Sequence, residues 1–383
     1  MNRILMVAAS TALLAACAGE ASAPEAEADG SIVSESGLKL VPLAEGLEFP
    51  WDMAELPNGD LLVTEREGRL RLITGTGLVE APIAGLPDDI LVDGQGGLLG
   101  VTMAPDFVET RLLYISYAKD MGEANTTAVV SARLSDDASA LEDVTEIFTA
   151  AERETTFHYG GRIATLPDGT LAIGLGDGYR YMEESQNPTN LHGAIARINA
   201  DGSTPSGNPF SGDAGHPNLW SYGHRNVQGL QYDAARDILW AHEHGPKGGD
   251  ELNIVQSGTN YGWPTITYGI NYDGTVITDQ TEAPGMEQPV AKWVPSIAPS
   301  GMALVTTEAF ADWSGDLLIG AMNGPKGLKL VRIDLDDAGG VVGEQAYLED
   351  LRMGYRDVLS TPTGLFVATN GLDGAVYRVE PAS

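Results

Sequence analysis

Pro167-Asp168-Gly169-Thr170 followed by Leu171-Ala172-Ile173-Gly174-Leu175 joins a tight-turn tetrapeptide to a short apolar run. Asp-Gly tolerates φ > 0 and marks a hairpin, and a run of five residues bounded by turn signals reads as a strand. The same pair recurs along the chain. Pro57-Asn58-Gly59-Asp60 precedes Leu61–Val63, Trp313-Ser314-Gly315-Asp316 precedes Leu317–Ala321, and Pro362-Thr363-Gly364 precedes Leu365–Thr369. Weaker copies, Pro105-Asp106-Phe107 and Asp233-Ala234-Ala235-Arg236, precede Leu112–Tyr117 and Ile238–Ala241. The six turns are spaced by 48 to 80 residues. Six strand–turn–strand units predict an all-β six-bladed β-propeller with about 58 residues per blade, enough for four strands and their loops. A β-sandwich is the competing architecture, but nothing in it requires one such turn per unit. Gly at 47 of 383 residues also favours turns over long helices.

The chain carries 22 Lys+Arg against 54 Asp+Glu, a net charge of −32. That surface repels phosphate backbones, so no nucleic-acid partner is expected. The single Cys excludes an intrachain disulfide and a Cys-built metal centre.

Residues 1–16 combine Arg3 with a short apolar stretch and read as an export signal rather than a membrane span. Leu14-Ala15-Ala16-Cys17 resembles a bacterial lipobox, which implies cleavage before Cys17 and lipidation of it. An ordinary signal peptide with an incidental Cys is the alternative. Ala18, rather than Asp, after the Cys favours the periplasmic face of the outer membrane. Residues 17–37, small, acidic and Pro-containing, are expected to form a flexible tether, with the propeller occupying 38–383.

Propeller sites gather in loops at the channel mouth, which directs attention to the long stretches near 175–233 and 242–312. His242-Glu243-His244-Gly245-Pro246-Lys247-Gly248-Gly249-Asp250-Glu251 is the densest polar cluster. Turn carbonyls beside carboxylates suit a hard cation such as calcium. The i, i+2 histidines also permit a zinc pair, or simply a hydrogen-bond network at a strand end. His158, before Gly160-Gly161, has the residue type of a general base near neutral pH and equally that of a structural histidine. Arg225 could contact an anion or make a surface ion pair. Gly174-Leu175-Gly176-Asp177-Gly178 lacks dinucleotide-loop spacing and reads as a turn.

Taken in order, Phe49-Pro50-Trp51-Asp52, Gly94-Gln95-Gly96-Gly97-Leu98-Leu99-Gly100, His158-Tyr159-Gly160-Gly161-Arg162, Gly223-His224-Arg225-Asn226, His242-Glu243-His244-Gly245-Pro246, Asp250-Glu251-Leu252-Asn253, Asn260-Tyr261-Gly262-Trp263-Pro264 and Pro299-Ser300-Gly301 resemble the pyrroloquinoline-quinone (PQQ)-dependent soluble aldose (glucose) dehydrogenase family. The resemblance implies a six-bladed propeller that oxidises aldoses at the anomeric carbon to lactones and passes the electrons to an external acceptor. It implies His158 as the base, and Gln95, Arg225 and Asn226 as contacts to cofactor or sugar, with Tyr272 added to the cofactor pocket. Carbonyls of Gly245 and Pro246 match a Ca2+ that holds the quinone. Glu251 and Tyr261 match a second, structural calcium site. Arg356 falls in Gly354-Tyr355-Arg356-Asp357-Val358, where the family often has an additional basic residue at the position of Gly354. Asn323 likewise stands where the family often has Lys. Lys326, Lys329 and Arg352 are the candidates to replace those cations. A calcium-dependent lactone hydrolase and a non-catalytic sugar- or protein-binding propeller are the alternatives.

Overall fold

The computed structural model describes residues 27–210, 212–322 and 327–382. These residues form six antiparallel sheets arranged as the blades of a β-propeller. The six runs identified from sequence are the second strands of the six blades: Leu61–Glu65, Leu112–Asp120, Leu171–Leu175, Ile238–Glu243, Leu317–Ala321 and Gly364–Thr369. Leu171–Leu175, Leu317–Ala321 and Gly364–Thr369 are buried at every residue. A neighbouring blade covers each face, so both faces must be apolar and the run is continuous rather than alternating. Outer strands such as Val341–Tyr347 are largely exposed. The recurrent turns link first to second strand in every blade.

The ring closes with both chain ends. Leu38–Leu47 pairs with Gly374–Pro381 in the sixth blade, Leu40 opposite Val379. Ile32–Val33 adds a further strand outside it. The tether expected through residue 37 is therefore part of the fold at its distal end. Ser31 and Ser34 are buried there, and Ser34 donates to Asp350 at 2.5 Å. Residues 1–26, with the lipobox and Cys17, lie outside the described residues. Among the described residues no helix is long and apolar enough to cross a membrane.

Every inner strand starts with a register shift: Pro50/Asp52, Leu98/Val101, Gly160/Ile163, Val227/Gly229, Pro299/Met302 and Tyr355/Asp357. A bulge re-aims the side chains beside it. Here the shifts surround the axial channel. Arg162 pairs there with Asp52 and, at 2.8 Å, with Asp357, tying the first, third and sixth blades together. Gly301 belongs to this packing, because a Cβ there would strike Asp357.

Candidate functional site

The site sits where inner strands begin. His158 lies two residues before Gly160–Thr165 and adopts φ +53°, a left-handed conformation uncommon for a residue with a side chain. Its backbone is held from both sides. Its N–H donates to Gln95 Oε1 at 2.8 Å, and its carbonyl accepts from buried Arg153 at 2.6 Å. The ring Nδ1 lies 2.7 Å from Asp177 Oδ1, while Asp177 Oδ2 accepts from Trp263 Nε1 at 2.9 Å. Among the described residues Nε2 has no hydrogen-bond partner. Burial, and then the charge of Arg225, lower the His158 pKa despite Asp177, so the imidazole is neutral near pH 7.

Two cavities meet here. One of about 730 Å3 is lined by His158, Asp177, Tyr179, Arg225, Pro246, Trp263 and Tyr272. The other, about 350 Å3, is lined by Arg66, Gln95, Tyr159, Asn226, Gln228, His244, Arg356 and, again, Tyr272. Tyr272 is 62% exposed and stands at both mouths. The predicted residues His158, Gln95, Arg225, Asn226, Tyr272, Arg356 and Pro246 therefore converge. Asn226 Oδ1 accepts from Gly160 N–H and from Gln228 Nε2, both at 3.2 Å. Arg356 is fully buried, stacks 4.4 Å from the Trp51 ring and donates to Gln228 Oε1 at 3.1 Å, yet its Nε has no partner. Desolvation pulls its pKa down to about 9.

Among the described residues Arg225 makes no ion pair. It is 4% exposed and donates through Nη1 to the carbonyls of Gly245 (2.8 Å) and His244 (3.0 Å). The Gly245 oxygen named as a calcium ligand thus already faces a cation. Behind it lies a cavity of about 10 Å3, lined among others by Glu243, Gly245, Glu251 and Tyr261. That is close to the smallest space that holds a water. Glu251 is opposite Glu243 in the sheet, and burial together with that second carboxylate raises its pKa to about 8. A cation relieves this repulsion, so the carboxylates fit calcium. The Tyr261 hydroxyl is committed to the Ile254 carbonyl and the Gln256 N–H, which leaves its main-chain carbonyl as the ligand. Among the described residues no three His, Cys, Asp or Glu side chains converge on a metal position. Remaining ligands would be main-chain oxygens and water. The same finding removes the zinc pair. His242 is buried with both ring nitrogens unpartnered, and His244 turns its Nε2 to the Pro299 carbonyl at 2.7 Å.

Several site residues escaped the sequence reading. Asp177 reads from sequence as a turn residue, and its only signal is an acid two residues after the apolar run Leu171–Leu175. Trp263 and Glu243 lay within quoted motifs without a role. Of the proposed replacement cations, neither Lys329 nor Arg352 lines either cavity. Lys329 lies 3.7 Å from Glu349. Lys326 and Asn323 are outside the described residues. At Gly354 a Cβ would lie 2.8 Å from the Met322 carbonyl, so a basic side chain has no room without a shift there.

Comparison with known proteins agrees with this geometry. A family model described as Glucose / Sorbosone dehydrogenase matches residues 47–378. Aldose sugar dehydrogenase YliI of Escherichia coli (strain K12) is 40% identical over 353 residues, covering 88% of this chain and 92% of its own. A crystal structure of a glucose dehydrogenase superposes with a TM-score of 0.84 at 42% identity, covering 88% of this chain and 98% of that one. The PQQ-bound form of aldose sugar dehydrogenase from Streptomyces coelicolor gives 0.74 at 28% identity, over 91% and 99%. With a matching family model over most of its length and a relative at this identity covering most of both chains, the chain belongs to the glucose/sorbosone dehydrogenase family.

Proposed function

We propose that the protein is a PQQ- and calcium-dependent dehydrogenase that oxidises aldose sugars at the anomeric carbon to lactones. The observation that carries the reading is the His158–Asp177 pair, whose free Nε2 belongs to the cavity shared with Arg225 and Pro246. PQQ, when bound, would supply an electrophilic carbonyl carbon as acceptor for the hydride of the sugar C1. His158 Nε2 accepts the proton of the anomeric hydroxyl. Asp177 keeps the Nδ1–H tautomer and stabilises the imidazolium that forms. Trp263 and the Tyr179 N–H, each donating to Asp177, keep that carboxylate ionised and oriented. The Arg225 guanidinium offers positive charge where negative charge develops. Gln95, Asn226, Tyr272 and Arg356 hold the cofactor, and its anionic groups suit the unpaired Arg356 Nε. Carbonyls of Gly245 and Pro246 hold the calcium at the cofactor, with Glu251 and the Tyr261 carbonyl at the second ion.

Adding PQQ and calcium to purified protein should produce bound-quinone absorbance and aldose-dependent dye reduction. A protein that reduces dye equally without quinone, or not at all with it, overturns the reading. Chelation should lower the melting temperature and calcium should restore it. An ion at 100-fold excess over its Kd adds about 2.7 kcal/mol. An unchanged melt after exhaustive chelation removes the calcium assignment.

The address is part of the same proposal. The signal peptide, residues 1–16, is cleaved, Cys17 is lipidated, and the propeller is carried on a short acidic tether at the periplasmic face of the outer membrane, delivering electrons to an external acceptor. Support comes from Leu14-Ala15-Ala16-Cys17 and the apolar stretch before it. Mass spectrometry of the mature N-terminus tests it, and an unmodified Cys17 refutes it.

A further inference from the structure

We infer that Arg66 and Arg356 together form a paired seat for the carboxylates of the ligand in the smaller cavity, with Arg66 replacing the cations missing at Asn323 and Gly354. This rests on the quinone reading above and names a contact that it lacks.

Both guanidiniums line the same cavity. Among the described residues neither has a carboxylate within ion-pair distance. The Arg66 guanidinium makes no hydrogen bond among the described residues and lies over the Phe49 ring at 4.5 Å. Phe49 itself is held at φ +50°, its N–H on the Gly371 carbonyl at 2.7 Å and its carbonyl receiving the Arg66 N–H at 3.0 Å. The Gly97 position completes the mount. A Cβ there would run into the Arg66 carbonyl, so only glycine lets the Gln95 loop close over the Arg66 backbone. The side chain is therefore fixed at its base and platformed on an aromatic face, with its hydrogen-bonding edge uncommitted.

An unpaired guanidinium in a partly buried wall is costly unless something anionic arrives. Two of them share this wall, and each adds to the cost of the other. Arg66 is one of the charges that depress Arg356. Among the described residues Asp52 and Asp357 are both paired with Arg162, which leaves Arg66 and Arg356 without a carboxylate. Guanidiniums bind carboxylates in bidentate pairs, so two of them lining one cavity suit a ligand with more than one carboxylate. The ligand class is thus a polycarboxylate.

The test titrates the chelator-stripped, calcium-reconstituted protein with PQQ, followed by calorimetry and quinone absorbance. Benzene-1,2,4-tricarboxylate serves as a redox-inert probe. Arg66→Ala should weaken quinone binding about 10- to 100-fold and flatten its salt dependence. Arg66→Lys, which keeps the charge but loses the fork, should fall between, and Lys329→Ala should bind like wild type. Melting curves of the ligand-free variants establish that they fold. Arg66→Ala binding quinone within twofold of wild type overturns the seat and leaves the cofactor reading standing. Wild type that takes up no quinone overturns the cofactor reading. The seat then survives only if the tricarboxylate binds and loses affinity in Arg66→Ala, and the absence of such binding overturns it as well.

Discussion

In the third blade His158 precedes the inner strand, and its carboxylate partner Asp177 follows the second strand. In the fourth blade His224 likewise precedes the inner strand, and Glu243 is the last residue of the second. Each pair is 19 residues apart in sequence, with Nδ1 to carboxylate at 2.7 Å in one and 2.9 Å in the other. Each carboxylate uses its second oxygen to brace the site, Asp177 on Trp263 and Glu243 on the Arg225 N–H. The difference lies at Nε2. That atom of His224 is 2.9 Å from Ser221 Oγ, and the ring is sealed and stacked on Tyr261 at 4.6 Å. His158 has no such partner among the described residues and lines the larger cavity. The blade scaffold supplies a histidine–carboxylate pair twice. Whether the second ring nitrogen is claimed within the protein is what distinguishes the two histidines.

Exchanging roles in this pair gives the largest expected effects. His158→Ala should cut turnover about 10²–10⁴-fold with little change in melting temperature or quinone affinity. Near-native turnover in steady-state dye reduction would erase the distinction. Asp177→Asn removes the charge that stabilises the imidazolium while keeping a similar shape, and turnover should fall roughly 10²-fold. His224→Ala should reverse the pattern. It strands Glu243 and Ser221 in a buried site and should destabilise the fold by about 1–3 kcal/mol, read by denaturant unfolding, with a smaller loss of turnover per folded molecule. An unchanged unfolding midpoint would show that His224 pins nothing.

The smallest effects are shifts in pH profile. In the proposed mechanism neutral His158 accepts the proton, and its pKa is lowered, so the acidic limb of kcat/KM should lie below the ordinary histidine value of about 6.5. Arg225→Ala removes a cause of that lowering and should move the limb upward. Asp177→Asn removes the anion that favours imidazolium and should move it down. Shifts in the opposite directions would assign the limb to another group.

The blade count was legible because each second strand is buried on both faces and thus written as an uninterrupted apolar run after a turn. Outer strands such as Leu141–Thr149, exposed over most of their length, carry no such signal. The inner-strand bulges were invisible, since a register shift depends on the partner strand. His158, Arg225 and Gln95 could be located through motifs. Asp177 could not, because a carboxylate between two glycines reads as a turn until the fold brings it to an imidazole. The strand at Ile32–Val33 was lost in an acidic composition, its order coming from pairing with Leu38–Leu47 rather than from apolar content. Arg66 escaped for the converse reason: it lies in an ordinary hairpin, and only closure of the ring presents it to the cavity.

That closure also sets when the enzyme can begin to work. Leu40 finds Val379 nearly a whole chain length away, and contacts so remote in sequence are late and slow to form. The smaller cavity draws Phe49 and Arg66 from one side of the seam and Asn370 from the other. The Asp52–Arg162–Asp357 cluster beneath it spans the same seam. A nascent chain still awaiting its final strand therefore has no assembled quinone pocket. Pocket assembly is withheld until Gly374–Pro381 has been made, and losing that strand would open the smaller cavity at its seam.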